Sequence, residues 1–519
     1  MFWVNQIVEE IRKKPQKSYL VTDYKTPSGK VHVGSLRGVL IHDAIYRGLR
    51  QAGETAEYLY GFDDFDPMDG LPVYLDEKKY RPLMGLPLCN IPSPEPGYKS
   101  YADYYAQDFL KVIKQLGCEP KFILDSDAYR GGEYNESIRI ALDHAAEIRA
   151  IYQSVSGSVK ADDWYPLNVI CPKCGKMGTT KVTGWDGQLV SFTCEPKMVD
   201  WAVGCGYQGQ ISPFDGNAKL PYKLAIVARW QFRGTAVELA GLDHYTKGGA
   251  FFVARAIAEQ VFKIPVPYSH IYEWIMIDGG KKMSSSKGVG VSAADIVDLL
   301  PAQLVRFLMM RTRAKTRIEF KLDGDAVPRL YDELDRCIDE YLKDPQSDLG
   351  QAYEYAQLLP EKPPVYRLRF SKIAYLLQMP RASVLTYAET EKGDGLTADE
   401  KAEIAVREDY ARKWLATSAP DSFKFNILDT LPPVDLSAKQ KEALAELLKV
   451  FSASPKLSGE ELHSALHQIK ADLQIEPKDL FSAIYSIFLG KDSGPQAGWL
   501  LASLDRDLVV KRLNEAVDR

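Results

Sequence analysis

The sequence predicts an α/β fold in two parts: a doubly wound parallel-sheet domain interrupted by a cysteine-bearing insertion, then an all-α C-terminal region. Three observations predict it. Apolar runs of strand length alternate with amphipathic helical stretches over residues 18–62 and again after residue 221, the order that builds a parallel sheet with helices on its faces. Four of the seven cysteines fall within residues 171–205, in the manner of a metal knuckle. From Ser292 onward helix-start signals take over: Ser292 with Asp295, Thr397 with Glu400, Ser437 with Gln440 and Ser458 with Glu461 are capping pairs.

These signals divide the chain into a first sheet half at 1–95, an insertion at 96–220 with its metal-binding segment at 165–212, a second sheet half at 221–291, a linking region at 292–328 and a helical domain at 329–519. No glycine- or proline-rich linker marks the last join, which rests on composition.

Residues 18–22 read as the first strand and 36–49 as the first helix. Between them, Pro27-Ser28-Gly29-Lys30-Val31-His32-Val33-Gly34-Ser35 makes a tight glycine turn and a helix start. That is a phosphate-binding geometry: amides at a helix N-terminus point at an anion, Gly29 and Gly34 admit close backbone approach, and His32 can donate to a phosphate oxygen. Residues 56–62 follow as the second strand and deliver Asp63, Asp64 and Asp66 to the strand end where such sheets bind ligands. Read alone, these acids fit a solvated acidic turn equally well.

Residues 84–99, rich in proline and glycine, lead into the insertion, where helices from Tyr101 and over 135–154 flank a strand at Lys121–Leu124. Cys171-Pro172-Lys173-Cys174 is then followed by Cys194 after 19 residues and Cys205 after 10 more. A Cys-X-X-Cys knuckle with two further cysteines, and Gly175, Gly204 and Gly206 for tight turns, suits tetrahedral zinc held by four thiolates. With no position open to water, that site reads as structural. Cys194 and Cys205 are not a close pair, so one of them as a buried structural cysteine is the competing reading. Cys89, Cys118 and Cys337 read as buried apolar residues.

Residues 224–230 and 235–240 read as strands returning to the sheet. Gly241-Leu242-Asp243-His244-Tyr245 then places Asp243 and His244 at a strand end, before a helix over 251–262. A further strand at 272–277 contains Tyr272 and Trp274, which serve either a pocket wall or the core. It delivers the chain to Lys281-Lys282-Met283-Ser284-Ser285-Ser286-Lys287-Gly288, after Gly279 and Gly280. Three lysines and three hydroxyls on one loop suit a triphosphate whose charge is migrating. Farther on, Leu462, Leu466, Ile469 and Leu473 give one helix a single apolar face, as in a bundle. His463 and His467 share a side of that helix, but nothing nearby completes a metal site.

In this order and separation, the glycine turn and the lysine-rich loop resemble the paired signatures of the class I aminoacyl-tRNA synthetases, His-X-Gly-His and Lys-Met-Ser-Lys-Ser. Within that class PSGKVHVGS, the acids of GFDDFDP, GLDHYTKGG, YEW before the glycines and KMSSSKG are similar to the class I lysyl-tRNA synthetases. The resemblance covers most of the chain and is least specific in the C-terminal third. It implies a Rossmann-like nucleotide-binding domain with a zinc-binding insertion, an α-helical anticodon-binding region, and a ligase that activates lysine with ATP and Mg2+ and passes it to tRNA, specifically tRNA-Lys. ATP would lie on Pro27, Gly29, His32, Gly34, Ser35, Lys282, Met283, Ser284, Ser286 and Lys287, with His32, Lys282 and Lys287 as the catalytic groups that stabilise the phosphoryl transition state. No protein nucleophile is required, because both attacking groups come from substrates. Two positions depart from the motifs: Ser35 replaces the last histidine and Ser285 the second lysine, which weakens any essential role for either.

Asp23, His244, Tyr272 and Trp274 are the candidates for the amino-acid pocket. Glutamate-specific relatives carry an arginine on the first strand, whereas residues 18–36 contain none and Asp23 lies in about that place. An acidic group complements a cationic substrate, with aromatic walls for its stem. Arginine, cysteine or glutamate synthetases and a nucleotidyltransferase of the same fold remain the alternatives, with a zinc-ribbon RNA-binding protein behind them. The stretch Arg306, Arg311, Arg313, Lys315 and Arg317 reads either as a solvated face or as a contact for the inner limb of tRNA.

Charge and composition agree with this. Lysine plus arginine number 65 against 70 aspartate plus glutamate, a net charge of −5. That argues against a protein coated non-specifically with nucleic acid but leaves room for a local basic surface. No run of 18 apolar residues occurs, and Met1-Phe2-Trp3-Val4-Asn5 lacks the features of a signal peptide. At 519 residues, the expectation is a soluble, cytoplasmic protein without a membrane partner, a monomer being a plausible state.

Overall fold

A computed structural model of the chain describes residues 1–277, 291–322, 324–359, 361–380, 382–454 and 457–518. The lysine-rich loop, with the ATP-site candidates Lys282, Met283, Ser284, Ser286 and Lys287, lies outside them. The chain forms two compact units, Met1–Phe320 with Glu340–Glu361, and Lys321–Asp339 with Lys362–Arg519.

In the first unit β1 (Tyr19–Lys25), β2 (Ala56–Phe62) and β3 (Lys121–Leu124) pair in parallel in that order. The sheet therefore runs past residue 95, into the stretch expected to be insertion. The crossover from β1 to β2 is the helix Gly34–Gln51, which buries Leu36, Val39, Leu40, Ile41, Ala44 and Ile45. On the other side of β1, Val21 bridges to Val237 and Val237 to Tyr268, both in parallel. The expected return of 235–240 to the sheet is thus made by a bridge at Val237.

Residues 224–230 are a helix, not a strand: Tyr222–Arg233, with Pro221 at its N-cap and Gly234, in the left-handed region at φ 67°, at its C-cap. A continuous apolar run has no period to separate strand from buried helix. The bracketing proline and glycine, with twelve residues between them, are the signals that decide it. The expected strand at 272–277 is also interrupted. β9 (Ala240–Gly241) pairs with β10 (Ile271–Tyr272), and β11 (Ile275–Ile277) pairs with β12 (Ile318–Phe320). Between them the Glu273 amide donates to the Ala314 carbonyl and the Trp274 carbonyl accepts from Ile318.

The cysteine-bearing segment stands on an antiparallel stem of β4 (Asn168–Val169) and β8 (Ala218–Lys219). Above it, β5 (Thr180–Trp185), β6 (Val190–Cys194) and β7 (Gln208–Ile211) make a small antiparallel sheet. The helix expected over 135–154 is two, Asn135–Asp143 and Ala145–Ser156, broken at His144.

Among its described residues the second unit is helical. Thr397 with Glu400, Ser437 with Gln440, and Ser458 with Glu461 all close reciprocal capping boxes, as does Ser292 with Asp295 in the first unit. Leu462, Leu466 and Ile469 are buried on one face, beside a core that includes Leu444, Leu447, Leu480 and Ile484. Among the described residues no helix is long and apolar enough to cross a membrane.

Candidate active site and metal centre

The glycine turn sits at the C-terminal end of β1, where a parallel sheet opens to its ligands. Its backbone is held from two sides, the Tyr101 hydroxyl donating to the Ser28 carbonyl at 2.8 Å and the Lys30 amide donating to the Tyr74 hydroxyl at 2.6 Å, and just before it the Thr26 hydroxyl donates to Asp66 at 2.9 Å. No side chain caps the helix that begins at Gly34; the Ser35 and Leu36 amides donate to the His32 and Val33 carbonyls, each at 3.0 Å, and the positive end of the helix still favours an anion there. Burial, with a smaller push from the charge of Lys25, lowers the pKa of His32 to about 4. His32 is therefore a neutral donor at physiological pH. The Val33 amide donates to Val291 and the Ala293 amide to Val31, so the chain just beyond the lysine-rich loop is bonded to the turn that contains His32.

The amino-acid candidates gather beside it. Asp23 on β1 is 9% exposed, and desolvation raises its pKa to about 7. His42 lies within 3.5 Å of the Asp23 carboxylate. Its Nε2 accepts from the Leu239 amide at 2.9 Å, which leaves the proton on Nδ1, facing the Gly38 carbonyl at 2.8 Å. Burial lowers the His42 pKa to about 4, so this neighbour is neutral and Asp23 has no cation at ion-pair distance among the described residues. A Cβ on Gly38 would meet the Tyr272 hydroxyl at 2.8 Å and Asp23 Oδ2 at 3.2 Å. A Cβ on Gly241 would meet Asp243 at 2.9 Å, Tyr272 at 3.6 Å and the Trp274 indole nitrogen at 3.9 Å. Asp23 and Tyr272 thus meet at Gly38, and Tyr272 and Trp274 at Gly241. His244 lies 3.9 Å from Asp243, and its ring is 5.9 Å from that of Tyr222.

Asp63, Asp64 and Asp66 are not free acids at a ligand face. Asp64 accepts from the amide and hydroxyl of Ser126. Lys219 pairs with Asp63 at 3.2 Å and Asp66 at 2.8 Å, and Arg229 pairs with Asp125 at 2.8 Å. Arg306, expected on a basic face, is fully buried and paired with Asp43 at 2.6 Å. Arg313, Lys315 and Arg317 are the exposed members of that stretch.

The sulfurs of Cys171, Cys174, Cys194 and Cys205 all lie within 4.8 Å of one another, with Cys171 to Cys205 at 3.6 Å and Cys174 to Cys194 at 3.7 Å. Four thiolates at zinc–sulfur bond length form a tetrahedron with edges of about 3.8 Å, so the donor set fits that ion. Gly175 and Gly206 take φ of 74° and 75° beside the ligands, and a Cβ at Gly204 would strike the Glu195 carbonyl at 2.3 Å. Cys194 and Cys205, distant in sequence from the first pair, complete the set.

Residues 1–359 match the model of a family described as tRNA synthetases class I (K), and residues 433–517 that of an anticodon binding domain. The chain belongs to the class I lysyl-tRNA synthetase family. It is 33% identical to the lysine–tRNA ligase of Methanosarcina barkeri strain Fusaro, over 99% of this chain and 97% of that one. The lysine–tRNA ligase 1 of Methanosarcina acetivorans is 32% identical over 99% and 98% of the two chains, and the lysine–tRNA ligase of Thermoplasma volcanium 30% over 100% and 99%.

Sequence reasoning missed the group in the synthetase that braces the segment carrying Tyr272 and Trp274. Arg37, fully buried in the helix after the glycine turn, donates through Nε to the Glu273 carbonyl at 3.0 Å and through Nη1 to that of Met309 at 3.0 Å. Its Nη2 faces the carbonyls of Arg313, Ala314 and Thr316. Glu273 lies between Tyr272 and Trp274, so Arg37 sets the position of both rings. Its pKa falls to about 10 through burial, so it remains charged at physiological pH. No sequence pattern separates such an arginine from a surface one; its place in the first turn of the helix was the available signal.

Proposed function

We propose that this chain ligates lysine to tRNA: it activates lysine with ATP, accompanied by Mg2+, to lysyl-adenylate and transfers the aminoacyl group to the 3′ end of tRNA-Lys. The observation that carries the specificity is the buried Asp23 carboxylate, which has no cation at ion-pair distance among the described residues. A lysine ammonium would supply that cation, its aliphatic stem against Tyr272 and Trp274, with His244 at the border. The turn at Pro27, Gly29, Gly34 and Ser35 would receive the triphosphate, with the Gly29 and Gly34 amides as donors, and neutral His32 would donate to a phosphate oxygen without adding charge. Lys282 and Lys287, with Met283, Ser284 and Ser286, would meet the charge that develops on the leaving pyrophosphate.

Zinc would be held by Cys171, Cys174, Cys194 and Cys205 and would contribute structure alone, since four protein thiolates leave no open coordination position. The helical unit would read the anticodon, and the protein would work in the cytoplasm. The domain boundaries would be those expected from the sequence, except that the first sheet half takes in β3 at Lys121–Leu124.

The test is pyrophosphate exchange into ATP with each of the twenty amino acids, with and without total tRNA, followed by transfer of labelled amino acid to tRNA. Exchange with lysine alone and transfer to tRNA are expected. Exchange with arginine, cysteine or glutamate would retain the class and discard the pocket, and exchange without transfer would favour a nucleotidyltransferase.

A further inference from the structure

Lys219 plays no part in the roles given above, yet it is the point where the cysteine-bearing segment meets the glycine turn. It is 1% exposed on β8. Its ammonium lies 2.8 Å from Asp66 Oδ1 and 3.2 Å from Asp63 Oδ2. The other oxygen of Asp66, Oδ2, accepts from the Thr26 hydroxyl at 2.9 Å. Thr26 immediately precedes Pro27, and a residue before proline is confined to extended backbone. Its hydroxyl therefore fixes the direction in which the chain enters the turn.

The remaining contacts lock this chain of bonds. Asp66 also accepts, through its carbonyl, from the Leu88 amide. Lys219 lies over the Tyr129 ring at 5.9 Å, and the Tyr129 hydroxyl accepts from the Leu220 amide at 3.2 Å. β8 pairs with β4, and the Ile170 amide, one residue before Cys171, donates to the Asn217 carbonyl at 2.8 Å. The ammonium bridges the buried Asp63 and the half-buried Asp66, and with Oδ1 held by Lys219 the rotamer of Asp66 is set so that Oδ2 faces the Thr26 hydroxyl.

We infer that Lys219 is a positioning residue for ATP, acting through Asp66 and Thr26 on the glycine turn, so that the base of the cysteine-bearing segment sets the geometry of the phosphate site. This rests on the reading of that turn as the ATP site. Equilibrium binding of ATP to the full-length protein, by calorimetry, tests it directly. Lys219→Met and Thr26→Val are each expected to weaken ATP about tenfold, and the double variant to be no weaker than either single one, because both break one relay. Thr26→Ser, which keeps the hydroxyl, should stay within about twofold of the parent, an outcome that loss of packing alone would not give.

Thermal melts identify a Lys219→Met that fails to fold, and Thr26→Val then carries the test. Unchanged ATP affinity in folded Thr26→Val, additive losses in the double variant, or absence of ATP binding by the parent would each overturn the inference. Lysine-dependent exchange on the same proteins separates the two readings: ATP affinity that responds as stated, with no lysine-dependent exchange, supports the relay and sinks the lysine assignment.

Discussion

The Val33 amide donates to the Val291 carbonyl at 3.0 Å. Val33 is the residue before the helix Gly34–Gln51, and Val291 is the first described residue after the lysine-rich segment. Two stretches more than 250 positions apart are thus bonded at the rim of the glycine turn.

His32→Ala should lower the rate of lysine-dependent exchange by roughly 100- to 1000-fold, the loss typical of one transition-state donor, with a smaller effect on ATP affinity. Because His32 titrates near pH 4, the parent and a His32→Gln variant should show the same pH dependence between pH 6 and 8. A rate that falls with loss of a proton from His32 in that window would refute a neutral donor.

Asp23 titrates near pH 7 without substrate, and only its ionised form attracts an ammonium. kcat/KM for lysine should therefore rise with pH up to about 7 and level off above it. Asp23→Asn should remove this dependence and cost about 1.5–3 kcal/mol of lysine recognition, the worth of a charge-assisted hydrogen bond, while the KM for ATP stays near that of the parent. The comparison of the two pH profiles is the measurement.

Gly38→Ala adds one methyl, 2.8 Å from the Tyr272 hydroxyl and 3.2 Å from Asp23. Steady-state kinetics should show KM for lysine raised at least about tenfold, with KM for ATP little changed, since overpacking at a close site costs about 1–3 kcal/mol. Equal increases for both substrates would place Gly38 in general packing instead.

Arg37→Met removes the donors from carbonyls on both sides of the pocket wall. Leaving several buried acceptors unsatisfied should destabilise the first unit by more than about 3 kcal/mol, seen as a lower urea midpoint. Arg37→Lys, whose single ammonium cannot span the same fork, should recover only part of that stability.

Elemental analysis should find one zinc per chain in the parent and none in Cys174→Ser. Thermal melting should begin at lower temperature in that variant, as expected when a structural ion that binds only the folded segment is lost.

Much of the site was legible because it obeys local rules. The glycine turn, the strands around it and the four capping boxes each announce themselves within a few residues, and the cysteine spacing identified a quartet that the fold assembles within 4.8 Å. The rest depends on tertiary partners. Residues 224–230 have no period, so their helix had to be read from Pro221 and Gly234. Asp63 and Asp66 look like any acidic turn until Lys219, far along the chain, is placed between them. Arg306 looked like part of a basic face because its partner, Asp43, belongs to the first helix after the turn. His42 gave no signal at all: its tautomer is set by the Leu239 amide, almost 200 positions away.

The partners of Arg37 are all main-chain carbonyls, those of Glu273, Met309, Arg313, Ala314 and Thr316. No change of side chain at those five positions deletes an acceptor. Tolerance to mutation is therefore lopsided across this contact: the exposed Arg313 and Thr316 are free to drift, the buried Met309 and Ala314 answer only to their own packing, and the one arginine that gathers them is fixed by the contact itself.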